Sequence, residues 1–245
     1  MNLYEGIYVR KTIRHFCMES VDKEILDHIM NFTSHLEMLD ENQKVQFEII
    51  ENRNDKRAPY FLVISALPVE GYQVNAGFLM QQVMLYIMTK ELGSCFMKYH
   101  KLPVHKIQGF EPLLMIAFGK TNKRLYREAE RAIRLPIADI CSYKTDVSDD
   151  MKKIVNAARL APSSFNSQPW HFVVYENRIH LFCKKTKYPF ELRKEMKEID
   201  VGIALANMYL AAEELWYSSE IRKIGNICER TFKNNEYLVS IIFQK

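Results

Sequence analysis

The chain has 245 residues, of which 48% are hydrophobic and 26% are charged, a composition typical of a globular protein with one large domain or two small ones. The formal net charge of +4 is small and the cations are dispersed, so we expect no nucleic-acid-binding surface. No apolar run approaches the roughly 18 residues that a membrane span needs, so we expect no membrane segment.

The first residues and the cysteines indicate the cellular compartment. The N-terminus lacks the basic start and the apolar stretch of a signal peptide. The chain has five cysteines without a CxxC pair or a Cys/His cluster, namely Cys17, Cys95, Cys141, Cys183 and Cys228. We therefore predict reduced thiols, a cytoplasmic location and no metal site.

The first half of the chain predicts a mixture of helices and strands. Apolar residues at helical spacing predict a helix over 21–39, and a helix over 75–92 that is apolar on almost all sides, which Gly93 ends. Runs rich in β-branched and aromatic residues predict strands over 45–50, 60–67 and 113–118.

The second half begins with a charged segment, 124–134, which we interpret as a helical connector. The elements predicted after it are helices over 149–160 and 200–216 and strands over 171–175, 179–184 and 237–243. The strands do not alternate regularly with the helices, which favours an α+β fold over a doubly wound parallel sheet.

The two halves of the chain resemble each other at a constant offset of 125 residues. Residues 111–120 match 236–245, and residues 45–52 match 170–177. Asn75-Ala-Gly in the first half also corresponds to Asp200-Val-Gly in the second. Solenoid repeats have periods of about 20–50 residues, so a period this long indicates a duplicated domain. We predict two tandem copies, 1–135 and 136–245, that form a pseudo-dimer within one chain.

A short basic segment, Arg10-Lys11-Thr12-Ile13-Arg14, precedes the first predicted helix. Guanidinium groups bind phosphate oxygens through two N–H donors at once, and a threonine hydroxyl adds another hydrogen bond. The segment is therefore a candidate phosphate site. The alternative is a solvated basic N-terminus.

Two further segments are candidates for ligand contacts. The loop from Pro162 to Trp170 carries the short polar side chains of Ser163, Ser164 and Asn166, which suit a polar planar ligand. The same residue types are common in turns for backbone reasons, so a plain turn is the alternative. Residues 92–97 leave the first buried helix, and here the alternative is a helix C-cap followed by a turn.

These motifs resemble the FMN-dependent nitroreductase superfamily over nearly the whole chain. Arg10, Thr12 and Arg14 are similar to the Arg-x-Ser/Thr-x-Arg/Lys motif with which that family opens. Residues 162–170 match its Pro-Ser-Ser-x-Asn-x-Gln-Pro-Trp loop, and Asp200 and Gly202 match its Asp-x-Gly helix. Family members are usually homodimers that bind FMN at the subunit interface, with the arginine motif from one subunit and the loop from the other.

In this chain the two halves of that motif set are divided between the copies. The first copy has the arginine motif, but residues 32–38 stand where the loop is expected. The second copy has the loop, but residues 139–144 stand where the arginine motif is expected. The chain thus resembles a fused, single-chain branch of the superfamily. The resemblance implies one complete FMN site, one degenerate pseudo-site and a plausible monomer.

The resemblance also implies a role for each candidate residue. Arg10, Lys11 and Thr12 would hold the FMN phosphate, and Arg14 would face the O2/N1 edge of the flavin. The remaining implied contacts are with the ring or ribityl chain for Pro162, Ser163, Ser164 and Asn166, with flavin N5 through backbone N–H for Met97, Lys98 and Tyr99, and with the phosphate for Lys120 and Arg124. Many relatives have Gly-Gly where this chain has Lys98-Tyr99.

The implied activity is that of an FMN-dependent oxidoreductase. FMN would accept hydride at N5 from NAD(P)H and reduce a nitroaromatic compound, a quinone or a similar small molecule in ping-pong order. The flavin carries the chemistry, so no catalytic side chain is expected. The alternatives are other flavin chemistry on this fold, such as dehalogenation or ring fragmentation, a non-catalytic flavin-binding protein, and a scaffold without cofactor.

Overall fold

The computed structural model describes residues 1–40, 42–52, 57–99, 102–185, 191–225, 227 and 234–245. Cys228 therefore lies outside the described residues. The chain divides into two compact units, Met1–Arg131 and Ala132–Lys245. Among the described helices, none is both long and apolar enough to cross a membrane.

The first unit is a four-stranded antiparallel sheet with helices, and its strand order is β1-β2-β4-β3. Its elements are α1 (Leu3–Val9), α2 (Lys23–Thr33), β1 (Val45–Glu51), β2 (Tyr60–Ala66), α3 (Tyr72–Thr89), β3 (Gly93–Lys98) and β4 (Glu111–Gly119). Strand β3 forms one edge of this sheet.

The second unit is a five-stranded sheet in the order β5-β6-β7-β9-β8, and only the β5–β6 pair is parallel. Its elements are α4 (Ile137–Ile140), β5 (Cys141–Tyr143), α5 (Asp149–Arg159), β6 (Trp170–Val174), β7 (Arg178–Lys184), α6 (Glu191–Glu214), β8 (Ser218–Arg222) and β9 (Asn235–Gln244). The largely antiparallel sheets confirm the α+β class.

The two units share a strand order and also an irregularity. Apart from the added β5, the order β6-β7-β9-β8 matches β1-β2-β4-β3. The β2–β4 register shifts at Ile64/Ser65 and skips Leu113, and the β7–β9 register shifts at Leu181/Phe182 and skips Leu238. An extra residue of this kind is a β-bulge, which twists and bends its strand locally. The two skipped leucines are 125 residues apart, the offset of the sequence repeat.

One helix in each unit is buried on nearly all sides. In α3 every residue from Val74 to Met88 is buried except Tyr86, and in α6 every residue from Ile199 to Ala212 is buried. This agrees with their sequences, because apolar residues all round a helix indicate burial on all faces. Both helices differ in extent from the prediction. The first ends at Thr89, and the second begins at Glu191, well before Asp200.

The prediction of a helical connector over 124–134 is wrong. In this segment the structure has one short 3-10 turn, Ala129–Arg131, and the residues before it are not helical. Tyr126 forms an isolated antiparallel bridge with Arg10, and the Arg127 N–H donates to the Val9 carbonyl at 2.9 Å. These backbone groups therefore bond to the end of α1 and not within a helix of their own.

The role predicted for Gly93 is also wrong, because Gly93 opens β3 and does not end α3. The left-handed residue after α3 is Glu91, at φ 59°. A Cβ at Gly93 would lie 2.8 Å from Ile13 Cγ2, so glycine allows residue 13 to approach the sheet edge, where its N–H donates to the Ser94 carbonyl at 2.9 Å. Residues 93–97 are therefore strand and not a turn. Helices α1 and α4 and strands β3, β5 and β8 were not predicted.

Candidate functional site

The basic segment of the first unit begins where α1 ends. Arg10 caps the C-terminus of α1 and is only 5% exposed, which excludes a solvated position for this residue. Its Nη1 donates to Thr12 Oγ1 at 3.1 Å. Lys11 Nζ donates to the Arg124 carbonyl at 3.3 Å. The structure thus brings together four of the predicted phosphate ligands, Arg10, Lys11, Thr12 and Arg124.

Arg127 is a fourth basic residue at this place, and no sequence motif pointed to it. Its backbone joins the end of α1 through Val9, and Nη1 donates to the Glu128 carbonyl at 3.3 Å. Its Nη2 is buried and has no hydrogen-bond partner among the described residues. Burial lowers the pKa of Arg127, as expected for a desolvated cation. A buried donor without an acceptor is costly, so an anion such as phosphate fits this group.

The other two predicted cations of this unit lie elsewhere. Arg14 is exposed and close enough to β3 that its charge opposes the rise in the pKa of Cys95, which burial raises to about 11. Lys120 is half-buried, and its carbonyl accepts from the Cys17 N–H at 2.8 Å. No described contact joins Lys120 to Arg10 or Lys11.

Strand β3 has backbone groups near Arg14 that point away from β4. In an antiparallel ladder, the N–H and C=O of one residue point the same way and alternate along the strand. The Ser94 carbonyl points away from β4, because it accepts from Ile13. The N–H of Lys98, four residues on, therefore also points outward. Of the predicted residues Met97, Lys98 and Tyr99, only Lys98 offers its N–H at this edge within the strand.

In the second unit, the Pro-Ser-Ser loop is anchored on a buried carboxylate. The Ser164 backbone N–H lies 2.9 and 3.0 Å from the two carboxylate oxygens of Asp200, and Ser164 Oγ donates to Oδ1 at 3.1 Å. Asp200 is 2% exposed. Burial raises the pKa of Asp200 to about 7, although the hydrogen bonds from Ser164 oppose this rise. The sequence matched Asp200 to a family motif but gave no hint of this contact.

The far end of the loop is held by the segment that precedes α4. Arg134 Nη1 donates to Asn166 Oδ1 at 3.0 Å and Nη2 donates to the Leu160 carbonyl at 3.1 Å. Asn166 Nδ2 donates to the Ile133 carbonyl at 3.1 Å. Arg134 was placed in the predicted connector, so its role as a loop contact was missed. A lone arginine carries no sequence signal for such a contact.

Backbone conformation also marks this loop. Phe165, Asn166 and Gln168 have φ values of 54°, 55° and 47°, in the left-handed region that bulky residues rarely adopt. Gln168 holds the turn from inside, because its N–H donates to Ser163 Oγ at 2.9 Å and its Oε1 accepts from the Leu135 N–H at 2.8 Å. In this turn Phe165 is 95% exposed.

Each predicted polar side chain of the loop has a partner inside its own unit. Ser163 accepts from Gln168, Ser164 donates to Asp200, and Asn166 bonds to residues 133 and 134. Pro162 is half-buried beside them. A serine hydroxyl has one donor and two acceptor positions, so Ser163 keeps its proton and Ser164 keeps lone pairs for a further contact.

Two proteins named as nitroreductases match a short part of the chain. An oxygen-insensitive NADPH nitroreductase of Helicobacter acinonychis is 52% identical over 31 residues, 13% of this chain and 15% of that protein. A "Putative NADH dehydrogenase/NAD(P)H nitroreductase" of Archaeoglobus fulgidus is 57% identical over 30 residues, 12% of this chain and 17% of that protein. The matched segments thus span less than a fifth of either relative.

The fold and the family match extend much further. The crystal structure of "a putative nitroreductase" of Thermotoga maritima superposes with a TM-score of 0.73 at 22% identity, and covers 99% of this chain and 94% of that one. This likeness shows a shared fold. The profile of the family described as "Putative TM nitroreductase" matches residues 2–212. The chain therefore belongs to this nitroreductase family, a family of oxidoreductases, which confirms the resemblance found in its sequence motifs.

Proposed function

We propose that this chain is an FMN-dependent oxidoreductase that uses NAD(P)H to reduce a small electron acceptor such as a nitroaromatic compound or a quinone. The observation that carries the proposal is the basic cluster at the end of α1, in which the buried Nη2 of Arg127 has no partner among the described residues. Family membership supports the choice of a flavin phosphate as the anion.

The phosphate ligands in this proposal are Arg10, Lys11, Thr12, Arg124 and Arg127. Arg10 is preorganised, because its guanidinium already bonds to Thr12 Oγ1 at 3.1 Å. A guanidinium held in this way loses less side-chain entropy when it binds a phosphate. Lys120 is the least supported of the predicted ligands, because no described contact places it in this cluster.

Two groups beside β3 would act on the flavin ring. The chemistry that bound FMN would supply is hydride transfer at N5, from NAD(P)H to the acceptor in ping-pong order. The exposed Arg14 guanidinium would stabilise negative charge at the O2/N1 edge. The outward N–H of Lys98 would donate a hydrogen bond to N5. No acid or base side chain is required, because the cofactor supplies the reactive atom.

The loop of the second unit would contribute the remaining contacts. Ser163 keeps a donor and Ser164 keeps an acceptor, and Asn166 keeps one amide hydrogen, so each can contact the flavin ring or the ribityl chain without loss of its present partner. Pro162 and the left-handed residues after it fix the direction of these groups. The exposed ring of Phe165 offers a flat apolar surface for an aromatic acceptor.

We further infer that the two units arose by duplication and that only one complete set of FMN ligands survives. The shared strand order and the bulges at Leu113 and Leu238 support the duplication. The arginine motif occurs only in residues 1–135 and the loop only in residues 136–245, which supports one FMN per chain. A monomer in the cytoplasm is consistent with this arrangement.

Spectroscopy of the purified protein tests the proposal. We expect flavin absorption, release of close to one FMN per chain on denaturation, and bleaching on anaerobic titration with NADH or NADPH. A colourless protein that does not take up added FMN would refute the proposal. Bound FMN that neither nucleotide reduces would show a non-catalytic flavin-binding protein instead. A ratio near two would refute the single set of ligands.

A further inference from the structure

Asp200 is an unusual anchor for a loop. Its carboxylate is 2% exposed, and its described partners are the neutral N–H and hydroxyl of Ser164. Transfer of a carboxylate into the protein interior costs several kcal/mol unless a cation or many hydrogen bonds compensate it. The described part of the chain shows no cation bonded to Asp200. The position therefore bears a cost that a neutral side chain would avoid.

The first unit shows that a neutral side chain is enough to hold the backbone. Asn75 is the residue 125 positions before Asp200, and Leu39 is the residue 125 positions before Ser164. The Leu39 N–H donates to Asn75 Oδ1 at 3.1 Å, and Asn75 is fully buried. The same backbone contact thus exists in both units with an amide in one and a carboxylate in the other. The feature found only in the second unit is the bond from Ser164 Oγ to Asp200 Oδ1.

A carboxylate and an amide at position 200 would differ in which group donates the proton of the hydrogen bond with Ser164. An ionised carboxylate has acceptors only, so the Ser164 proton must point toward Asp200. The lone pairs of the Ser164 oxygen are then available to a ligand. An asparagine at position 200 could use Oδ1 for the backbone N–H and turn its NH2 group toward the hydroxyl, and the serine would then present its proton to the ligand.

We propose that Asp200 is a positioning residue that orients the Ser164 hydroxyl as a hydrogen-bond acceptor for an N–H or O–H donor of the flavin. This inference rests on the proposed function, because it requires that the loop contacts FMN. Asp200 itself does not touch the cofactor in this proposal. It acts through Ser164, and its charge distinguishes the active loop from the equivalent segment of the first unit.

The test exchanges the two anchors in the full-length protein. The variants are Asp200→Asn, Ser164→Ala and the double variant, and the matched control is Asn75→Asp in the first unit. FMN affinity is measured by quenching of flavin fluorescence, and the folded state by thermal denaturation and near-UV circular dichroism. The pH is set at about 8.5, where Asp200, with a pKa of about 7, is ionised.

We expect Asp200→Asn to keep a native spectrum and to raise the Kd for FMN about tenfold, the effect of one lost hydrogen bond. Ser164→Ala should raise the Kd by a similar factor. The double variant should have a Kd no higher than that of the single variant that binds FMN less tightly, because both substitutions act through one hydrogen bond. Asn75→Asp should leave the Kd within about twofold.

Three results would overturn the inference. The first is an Asp200→Asn variant that binds FMN with the wild-type Kd. The second is a double variant in which the effects of the two single substitutions on the Kd multiply. The third is a Kd that rises as much in Asn75→Asp as in Asp200→Asn. The double-variant comparison decides the matter even where Asn75→Asp fails to fold. Failure of the wild-type protein to bind FMN is a different result, because it removes the proposed function itself.

Discussion

The loop at residues 162–168 and the segment at residues 37–40 and 42–43 occupy equivalent places in the two units, yet their side chains differ in chemical character. The counterpart of the loop thus begins five residues later than the predicted range of 32–38. Both are tied by a backbone N–H to the buried helix that follows, through Asp200 in one and Asn75 in the other. Both also end in a buried glutamine, Gln168 or Gln43.

What differs is the set of side chains that a ligand would meet. Ser163 and Ser164 in the second unit correspond to Met38 and Leu39 in the first. The anchored backbone is therefore a requirement of the fold, because it occurs in both units. The polar side chains are not a requirement of the fold, because the first unit forms the same contact without them. This comparison separates the residues that build the loop from the residues proposed to bind FMN.

The largest expected effect on FMN affinity comes from giving the loop of the second unit the side chains of the equivalent segment of the first. Replacement of Ser163 by Met and Ser164 by Leu removes two hydroxyls proposed to contact the cofactor. It also places larger apolar side chains where the cofactor is proposed to bind. Each lost hydrogen bond weakens binding by about tenfold, so FMN affinity should fall at least about 100-fold. Fluorescence titration with FMN measures the change.

The reverse exchange in the first unit is the matched control. Met38→Ser with Leu39→Ser changes the same residue types at the equivalent place, and FMN affinity should stay within about twofold of the wild-type value. An equal loss of affinity in both double variants would mean that the effect is one of folding and that the two segments are functionally alike.

A second difference between the units concerns Arg10, which has Leu135 at the equivalent position 125 residues later. Arg10→Ala removes a charge-assisted bond to the phosphate worth about 1.5–3 kcal/mol, so FMN affinity should fall roughly 10- to 150-fold. Riboflavin, which lacks the phosphate, should bind the variant and the wild-type protein equally well.

Lys123→Ala is the charge control for this variant, because Lys123 is exposed and lies in the same basic region of the sequence. It should change FMN affinity by no more than about twofold at physiological salt. Arg10 is only 5% exposed, so thermal denaturation without FMN must accompany the titration. Equal losses for riboflavin and FMN would show that Arg10 supports the fold and does not bind the phosphate.

The anchors should also differ in their dependence on pH, because Asp200 titrates and Asn75 does not. Burial raises the pKa of Asp200 from its ordinary value of 3.8 to about 7, so we expect folding to take up a proton at Asp200 between about pH 4 and pH 7. The stability due to the neutral carboxyl is complete below about pH 4 and is lost as the pH rises to about 7.

The measurement is the free energy of unfolding by urea at several pH values, for the wild-type protein and for Asp200→Asn. As the pH rises from about 4 to about 7, the free energy of unfolding of the wild-type protein should fall relative to that of Asp200→Asn, since asparagine stays neutral. All other titrating groups cancel in this difference. A difference independent of pH in this window would show that Asp200 is ionised throughout.

The smallest expected effect concerns the first turn of α2 and α5, the equivalent helices that precede the two segments. Ser148 caps α5, and its side chain accepts from the Met151 N–H at 3.2 Å, whereas Asp22 makes no such bond at the start of α2. Ser148→Ala should therefore cost about 1 kcal/mol of stability.

Asp22→Ala is the matched control and should cost less than about 0.5 kcal/mol, as most surface substitutions do. The two values follow from chemical denaturation curves with a shared slope. If Asp22→Ala were the more destabilising variant, the caps seen in the structure would not describe the helix ends in solution.

Local sequence pattern was enough to predict much of the fold of this protein. The offset of 125 residues, the strands β1, β2, β4, β6 and β7, and the buried character of α3 and α6 could all be read from the sequence. Runs of β-branched and apolar residues carry a strand signal within a few positions, and a helix that is apolar all round has few places other than the interior. The loop and arginine motifs were also evident, because they are contiguous in the chain.

Tertiary contacts decided what the sequence pattern left open or predicted wrongly. Segment 124–134 has helical composition, yet Tyr126 and Arg127 bond to the end of α1, more than a hundred residues away in sequence. A glycine after an apolar helix suggests a helix end, yet Gly93 opens β3, where it pairs with Gly119 and leaves room for Ile13. The carboxylate of Asp200 and the guanidinium of Arg134 meet the loop only in the folded chain. Such partners are distant in sequence and leave no periodic trace, so only packing could reveal them.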